Sequence, residues 1–236
     1  MHARRWVSLV APACAVVLVL GSGPAHARTI NGDSRDNKIK GTSAADSINA
    51  RGGDDRVKAR GGDDLVQGGD GHDVLDGGDG NDVLKSGEGD DLVTGAAGRD
   101  LIVSIGGNDT LIGGEGGDAL QAGDGDDQID GGDGDDDLDG GLGNDTTVDG
   151  PGDDRISPDE GDDLVTLGPG ADYVITEEGN DHVVAGVDAV SDEIYCGDGS
   201  ADVLTYVGAV DPLDVQAGCE TVEVQPITRL PLAGGP

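Results

Sequence analysis

The chain has 236 residues, 49 of them acidic and 14 basic, and its formal net charge of −35 disfavours nucleic acid, anionic membranes and acidic substrates as partners. Phe is absent, Trp6 is the only tryptophan, and Tyr173, Tyr195 and Tyr206 are the only tyrosines, which excludes a conventional core of interlocking aromatic side chains. Glycine at 45 residues beside such a charge is a disordered composition, so order has to come from position.

Residues 1–27 read as a signal peptide: Met1-His-Ala-Arg-Arg is basic, Trp6 to Leu20 is apolar, and Ala25-His-Ala27 offers a small-x-small cleavage site. The apolar run is shorter than the roughly 20 residues of a spanning helix, so no membrane span is expected after cleavage. Export by the general secretory route and by the twin-arginine route, for which Arg4-Arg5 is a weak match, both stay open. Without residues 1–27 the net charge becomes −37; residues 28–60 carry eight Lys or Arg against five Asp, so the acidity falls on residues 61–236.

From Gly32 to Val184 the chain is seventeen consecutive nonapeptides. The sixth position is Asp in sixteen of them, with Asn37 the exception, and the eighth is aliphatic in sixteen, with Thr147 the exception. Gly holds the fourth position in fifteen, from Gly53 to Gly179. Disorder needs no such phase; a fixed short period marks a solenoid. The best copies, such as Gly68-Gly-Asp-Gly-His-Asp73-Val-Leu75-Asp, put a glycine-rich turn in positions one to six and a three-residue strand in positions seven to nine.

One such unit cannot bury its own apolar residue, so stacking must make the core. Two repeats form an 18-residue coil, repeat n lies over repeat n−2, and Leu75, Leu84, Val93, Ile102, Leu111, Leu120, Ile129 and Leu138 are the expected central rungs. Seventeen repeats give about eight and a half coils, a roll about 40 Å long. The expected fold is all-β: a calcium-loaded parallel β-roll solenoid with a disulfide-clamped C-terminal cap.

Stacking aligns the sixth-position carboxylates in columns about 5 Å apart that repel unless a cation lies between them. Carboxylates with turn carbonyls are hard oxygen donors at flexible geometry, the preference of Ca²⁺; zinc and copper want His or Cys, of which the repeats offer only His72 and His182, and magnesium demands a tighter octahedron. The candidate ligands are Asp55, Asp64, Asp73, Asp82, Asp91, Asp100, Asp109, Asp118, Asp127, Asp136, Asp145, Asp154, Asp163, Asp172 and Asp181, with turn carbonyls such as those of Gly69, Gly71, Gly78, Gly80, Gly132 and Gly134. Seventeen repeats supply fifteen n/n+2 pairs, so about fifteen ions is the upper bound. Without calcium the chain is expected to be largely unfolded.

The repeat resembles the hemolysin-type, or repeats-in-toxin, calcium-binding nonapeptide Gly-Gly-x-Gly-x-Asp-x-aliphatic-x across residues 32–184. The resemblance implies that the carboxylates from Asp73 to Asp181 join backbone carbonyls of their own and the stacked turn around each ion. Residues 28–67 depart from the pattern, with Asp33, Thr42, Arg51 and Arg60 at the second position, and read as capping repeats with little metal, residues 68–184 forming the calcium-binding roll. Pro151, Pro158 and Pro169 fall in expected turns, and Thr147 should weaken one inward rung.

After Val184 the spacing loosens, through Asp192-Glu-Ile194-Tyr and Cys196-Gly-Asp-Gly-Ser-Ala-Asp202-Val-Leu204-Thr, and residues 185–222 read as degenerate repeats and a cap. Cys196 and Cys219 are the only cysteines outside the signal; in an exported chain they read as a disulfide worth roughly 3 kcal/mol, with two free thiols as the alternative. Residues 223–236 are expected to form a flexible tail. No Gly-x-Ser-x-Gly or His-Glu-x-x-His motif occurs, and no catalytic residue is expected. The expected function is that of a secreted, monomeric calcium-binding protein with a structural or cell-surface role; an accessory module of a secreted enzyme system, its catalytic domain on another chain, is the alternative. The basic residues Arg51, Arg56, Lys58 and Arg60 suit either an anionic cell-wall or extracellular polymer or a plain polar end-cap.

Overall fold

The alternation around position eight decides where the chain goes. In Val74-Leu75-Asp76 the middle side chain faces one way and its neighbours the other, so a strand that buries Leu75 leaves Val74 and Asp76 outside. Repeated every nine residues, this produces two facing parallel sheets. A computed structural model describes residues 26–188 and 190–225 together with the backbone of residues 15–17, and its regular elements are all strands.

Strands alternate between the sheets. One sheet has twelve, beginning Ala15–Val17, Asn37–Lys40, Arg56–Gly61, Val74–Asp79 and ending at Thr221–Gln225; the other has eleven, from Thr29–Asn31 and Ser47–Gly52 to Val215–Ala217. Through the regular repeats each strand pairs in parallel with the strand 18 residues on, as in Leu111 with Ile129 and Leu120 with Leu138. The architecture is a parallel β-solenoid of about eleven coils, roughly 50 Å long at the usual strand spacing. That exceeds the eight and a half coils counted from the strict nonapeptides because the less regular flanks keep coiling.

After Val184 the register lengthens without breaking: Tyr173 pairs with Glu193, His182 with Val203 and Glu193 with Val215, so the coil grows to 20–22 residues. The Cys196–Cys219 disulfide closes this end, with Cα atoms 4.9 Å apart, and the fully buried ring of Tyr206 fills the interior beside it. The strand Thr221–Gln225, laddered on Val203–Val207, runs three residues into the expected tail; residues 226–236 lie outside the described residues. The expected signal peptide also lies outside them, except for residues 26–27 and the backbone of Ala15–Val17, which pairs with Asn37–Lys40. Among the described residues no helix is long and apolar enough to cross a membrane.

Two local expectations are corrected. Eleven of the strands have six residues, as in Val74–Asp79 and Gln128–Asp133, so there positions one to three of the next repeat belong to the ladder and not to a free turn. Position two makes this possible by adopting positive φ, from 101° to 125° at Gly69, Gly78, Gly87 and Gly132, which bends the strand without ending it. The second correction concerns the core. Position eight is buried from Ile30 and Ile39 through to Leu204, with Thr147 enclosed between Ile129 and Val165, but position one faces inward as well, as Ala50, Ala59, Ser86, Ser104 and Ala122 illustrate. Each buried aliphatic rung contributes about 1.5–3 kcal/mol.

Candidate metal centre

Position six lies two residues before position eight and so faces the same way, inward. The Asp column is accordingly buried, with Asp55 fully enclosed and Asp91 only 4% exposed. One carboxylate oxygen of each is used by the backbone. The Asp55 N–H donates to Asp73 Oδ1 at 2.8 Å, that of Asp73 to Asp91 Oδ1 at 2.7 Å, and that of Asp109 to Asp127 Oδ1 at 2.6 Å. The chain of donations runs along both columns, from Asn37 onto Asp55 and from Asp46 onto Asp64 up to Asp163 onto Asp181.

The other oxygen, Oδ2, has no partner. Of the fifteen candidate ligands from Asp55 to Asp181, fourteen hold a buried Oδ2 without a hydrogen bond; only Asp109 differs, because the Ser104 hydroxyl donates to it. A buried acceptor left unpaired costs roughly 1–3 kcal/mol, so fourteen cost tens of kcal/mol against a net folding stability of roughly 5–15 kcal/mol. Something outside the polypeptide must meet these oxygens, and a proton or a cation is the choice.

Burial, more than mutual repulsion, pushes the carboxyls up. Asp55, Asp64, Asp73, Asp91, Asp100, Asp127, Asp145 and Asp154 rise to about 6, against the pull of the backbone N–H each accepts. Asp136 and Asp163 reach about 7 and Asp172 about 8; desolvation dominates there too, and neighbouring Asp charges add to it. Asp82, Asp109, Asp118 and Asp181 rise for the same first reason.

Where position one is glycine, the space beside the free oxygen is lined by oxygen. A side chain on Gly68 would run into Asp73 Oδ2 and come within 2.7 Å of the Ser86 carbonyl; Gly95 stands in the same relation to Asp100 Oδ2 and the Gly113 carbonyl, and Gly140 to Asp145 Oδ2 and the Pro158 carbonyl. Oδ2 and a position-one carbonyl of the next coil thus recur together, with no sulfur or imidazole among them. That donor set fits Ca²⁺, which takes oxygen ligands in flexible geometry. The turn carbonyls expected from the sequence lie between stacked coils. Those of Gly69, Gly71, Gly80, Gly132 and Gly134 point along the solenoid at the same-position glycine of the next coil, and Gly78 pairs in register with Ala96. A position-one carbonyl is not among the turn carbonyls expected from the sequence.

Two more features were not expected from the sequence. The acceptor column continues past Asp181: Asp172 N–H donates to Asp192, Asp181 N–H to Asp202, Asp192 N–H to Asp214 and Asp202 N–H to Glu220. Asp192-Glu-Ile194 and Asp202-Val-Leu204 kept the Asp-x-aliphatic signature that signals this, at altered spacing. A second ladder runs the opposite way at position five. There the N–H groups of His72, Asn108, Asn144 and Asn180 donate to the side chains of Asp54, Asp90, Asp126 and Asp162 in the preceding coil at 2.9–3.1 Å. His72 is a link in that ladder, accepting the Asp90 N–H on Nδ1 at 2.8 Å. His182 Nε2 lies 2.8 Å from Thr205 Oγ1, and Thr205 is buried.

The RTX calcium-binding nonapeptide repeat matches in overlapping copies that run without a gap from residue 31 to residue 188, about two thirds of the chain. The chain belongs to the RTX repeat family. Its ligand is calcium, and the roll is a structural calcium-binding fold, not one built for catalysis. A comparison with curated proteins finds no match.

Proposed function

We propose that the chain is a secreted protein whose roll assembles when it meets the calcium of the extracellular medium, and that its role is structural or at the cell surface. The buried column of unpartnered Oδ2 atoms carries this reading, since it makes the cation a condition of folding. In a calcium-poor interior the chain stays unfolded and competent for export; residues 1–27 supply the signal. A calcium titration followed by circular dichroism tests it. Strand signal should be absent in chelator and appear by millimolar calcium; a chelated chain already rich in strand and unmoved by calcium would sink the proposal.

A surface role draws on the first coils. Lys38 pairs in register with Arg56 and Lys40 with Lys58, so four exposed cations form a grid on the outer face of the twelve-stranded sheet, while Arg51 and Arg60 sit at the neighbouring bends. An anionic extracellular polymer is the fitting partner. Reversing Arg51, Arg56, Lys58 and Arg60 should cut retention on cell walls in calcium, and unchanged retention would remove adhesion from the reading.

A further inference from the structure

Position one touches the carboxylate of its own repeat, so its side chain decides how that carboxylate is satisfied. Ser104 answers Asp109 with a hydroxyl donor, and glycine leaves the space to other oxygens. Residue 149 does the reverse. It is the one acidic residue at position one in the seventeen repeats, and an ionised carboxylate has nothing to donate.

Asp149 is fully buried and rigidly held. Its Oδ1 accepts the N–H of Gly150 and that of Gly168, both at 2.6 Å, and its Oδ2 has no partner. Beside it stand Asp154 of the same repeat and Asp172 of the next coil, 2% and 1% exposed. Their Oδ1 atoms are used by the N–H groups of Asp136 and Asp154, and their Oδ2 atoms are likewise free. Carboxylate oxygens of the three residues lie within 4.8 Å of one another, the widest separation for oxygens bound to one ion at about 2.4 Å. Leu167, buried, holds the same position in the next coil, and in the preceding coil a side chain on Gly131 would run into Asp136 Oδ2 and the Asp149 carbonyl at 2.6 and 2.5 Å. Three buried acceptors this close together are met either by protons or by a shared cation.

We propose that Asp149, Asp154 and Asp172 hold one calcium ion as a three-carboxylate site inside the roll, and that this is the ion the chain binds most tightly. The inference rests on the calcium-dependent folding proposed for the roll and adds to it a rank order among ions that the repeat pattern makes look equivalent. Calcium affinity rises with the number of charged ligands, and among the described residues three carboxylates come this close together only here. The ion is therefore the one that starts assembly of the roll as calcium rises.

The test uses the full chain, calcium alone as the probe, and three variants: Asp149→Asn, Asp149→Ser, and Asp130→Asn as a control that removes one charge from the exposed outer face. Equilibrium dialysis and competition with a chelator give the affinity of the tightest class, and circular dichroism in saturating calcium verifies the fold. Asp149→Asn and Asp149→Ser should weaken the tightest class about tenfold, or lose one ion, while Asp130→Asn matches the wild type. Folded Asp149→Asn and Asp149→Ser proteins with wild-type affinity and stoichiometry would overturn the proposal, leaving the three carboxylates to share protons. A wild-type chain that bound no calcium would instead overturn the proposed function with it.

Discussion

The first coil, residues 32–49, and the coils from residue 68 onward meet the same problem in opposite ways. Asn37, at the place of the first Asp, satisfies itself: its Oδ1 accepts the Asp33 N–H at 2.8 Å and its Nδ2 donates to the Arg35 carbonyl at 2.5 Å. Asp46 is answered by Thr42, whose N–H and hydroxyl reach Oδ2 at 2.7 and 3.0 Å. In the coils beyond, the equivalent oxygens are buried and unanswered, at Asp73, Asp82 and Asp127 among others. One end of the roll is completed by its own side chains, and the middle is left for an ion to complete.

Chelation should therefore produce the largest effect. In hydrogen exchange, residues 68–184 should lose protection almost wholly in chelator, and restoring calcium should restore it; protection that survived there would erase the contrast between the regions. Acid offers a second way to fill the same oxygens. The carboxyls of Asp73, Asp127 and Asp136 lie near 6 to 7 in the ion-free roll against 3.8 in an unfolded chain, so the folded form binds more protons between those values. The stability this supplies is fully present below about 4 and is lost as pH rises through about 6 to 7. Metal-free chain should consequently resist urea better at pH 4 than at pH 7.5, and the opposite order would mean that the carboxyls are not buried as described.

Smaller effects separate the regions residue by residue. Leu120→Ala, in a fully enclosed rung, should cost about 2–5 kcal/mol in calcium-loaded urea unfolding, and Ile30→Ala near the open end less. Asp127→Asn should move the calcium midpoint several-fold higher while Asp46→Asn leaves it nearly in place, because only Asp127 has an oxygen with no protein partner. Equal shifts would make Asp46 a ligand as well. The smallest change is expected from Arg51→Gly and Arg60→Gly. These position-two residues hold φ of 88° and 94°, a strain glycine relieves by about 1 kcal/mol each, so the melting temperature should rise.

The nine-residue phase made much of this legible. Leu75, Leu84 and their successors are buried where the period puts them, and Cys196 and Cys219 are bonded. Strand length was not legible, because glycines such as Gly77-Gly78 read as turn formers when judged by local propensity alone. Their part in the ladder depends on hydrogen bonds to chain 18 residues away. The continuation to Asp202 and Asp214 was obscured in the same way, since pairing tolerates coils of 20–22 residues that a fixed period does not count.

What the sequence by itself determined is the repeat, the inward aliphatic rung, the stacked carboxylates and the hard-oxygen chemistry that selects calcium, all of which arise from a period of nine and the stacking it imposes. Only the tertiary structure decided which oxygen of each carboxylate is free, which neighbour answers it, and that Asp149 adds a third carboxylate to Asp154 and Asp172. Those outcomes belong to contacts between coils, where a neighbour in space is 18 residues distant and one side chain changes what an otherwise identical turn can hold.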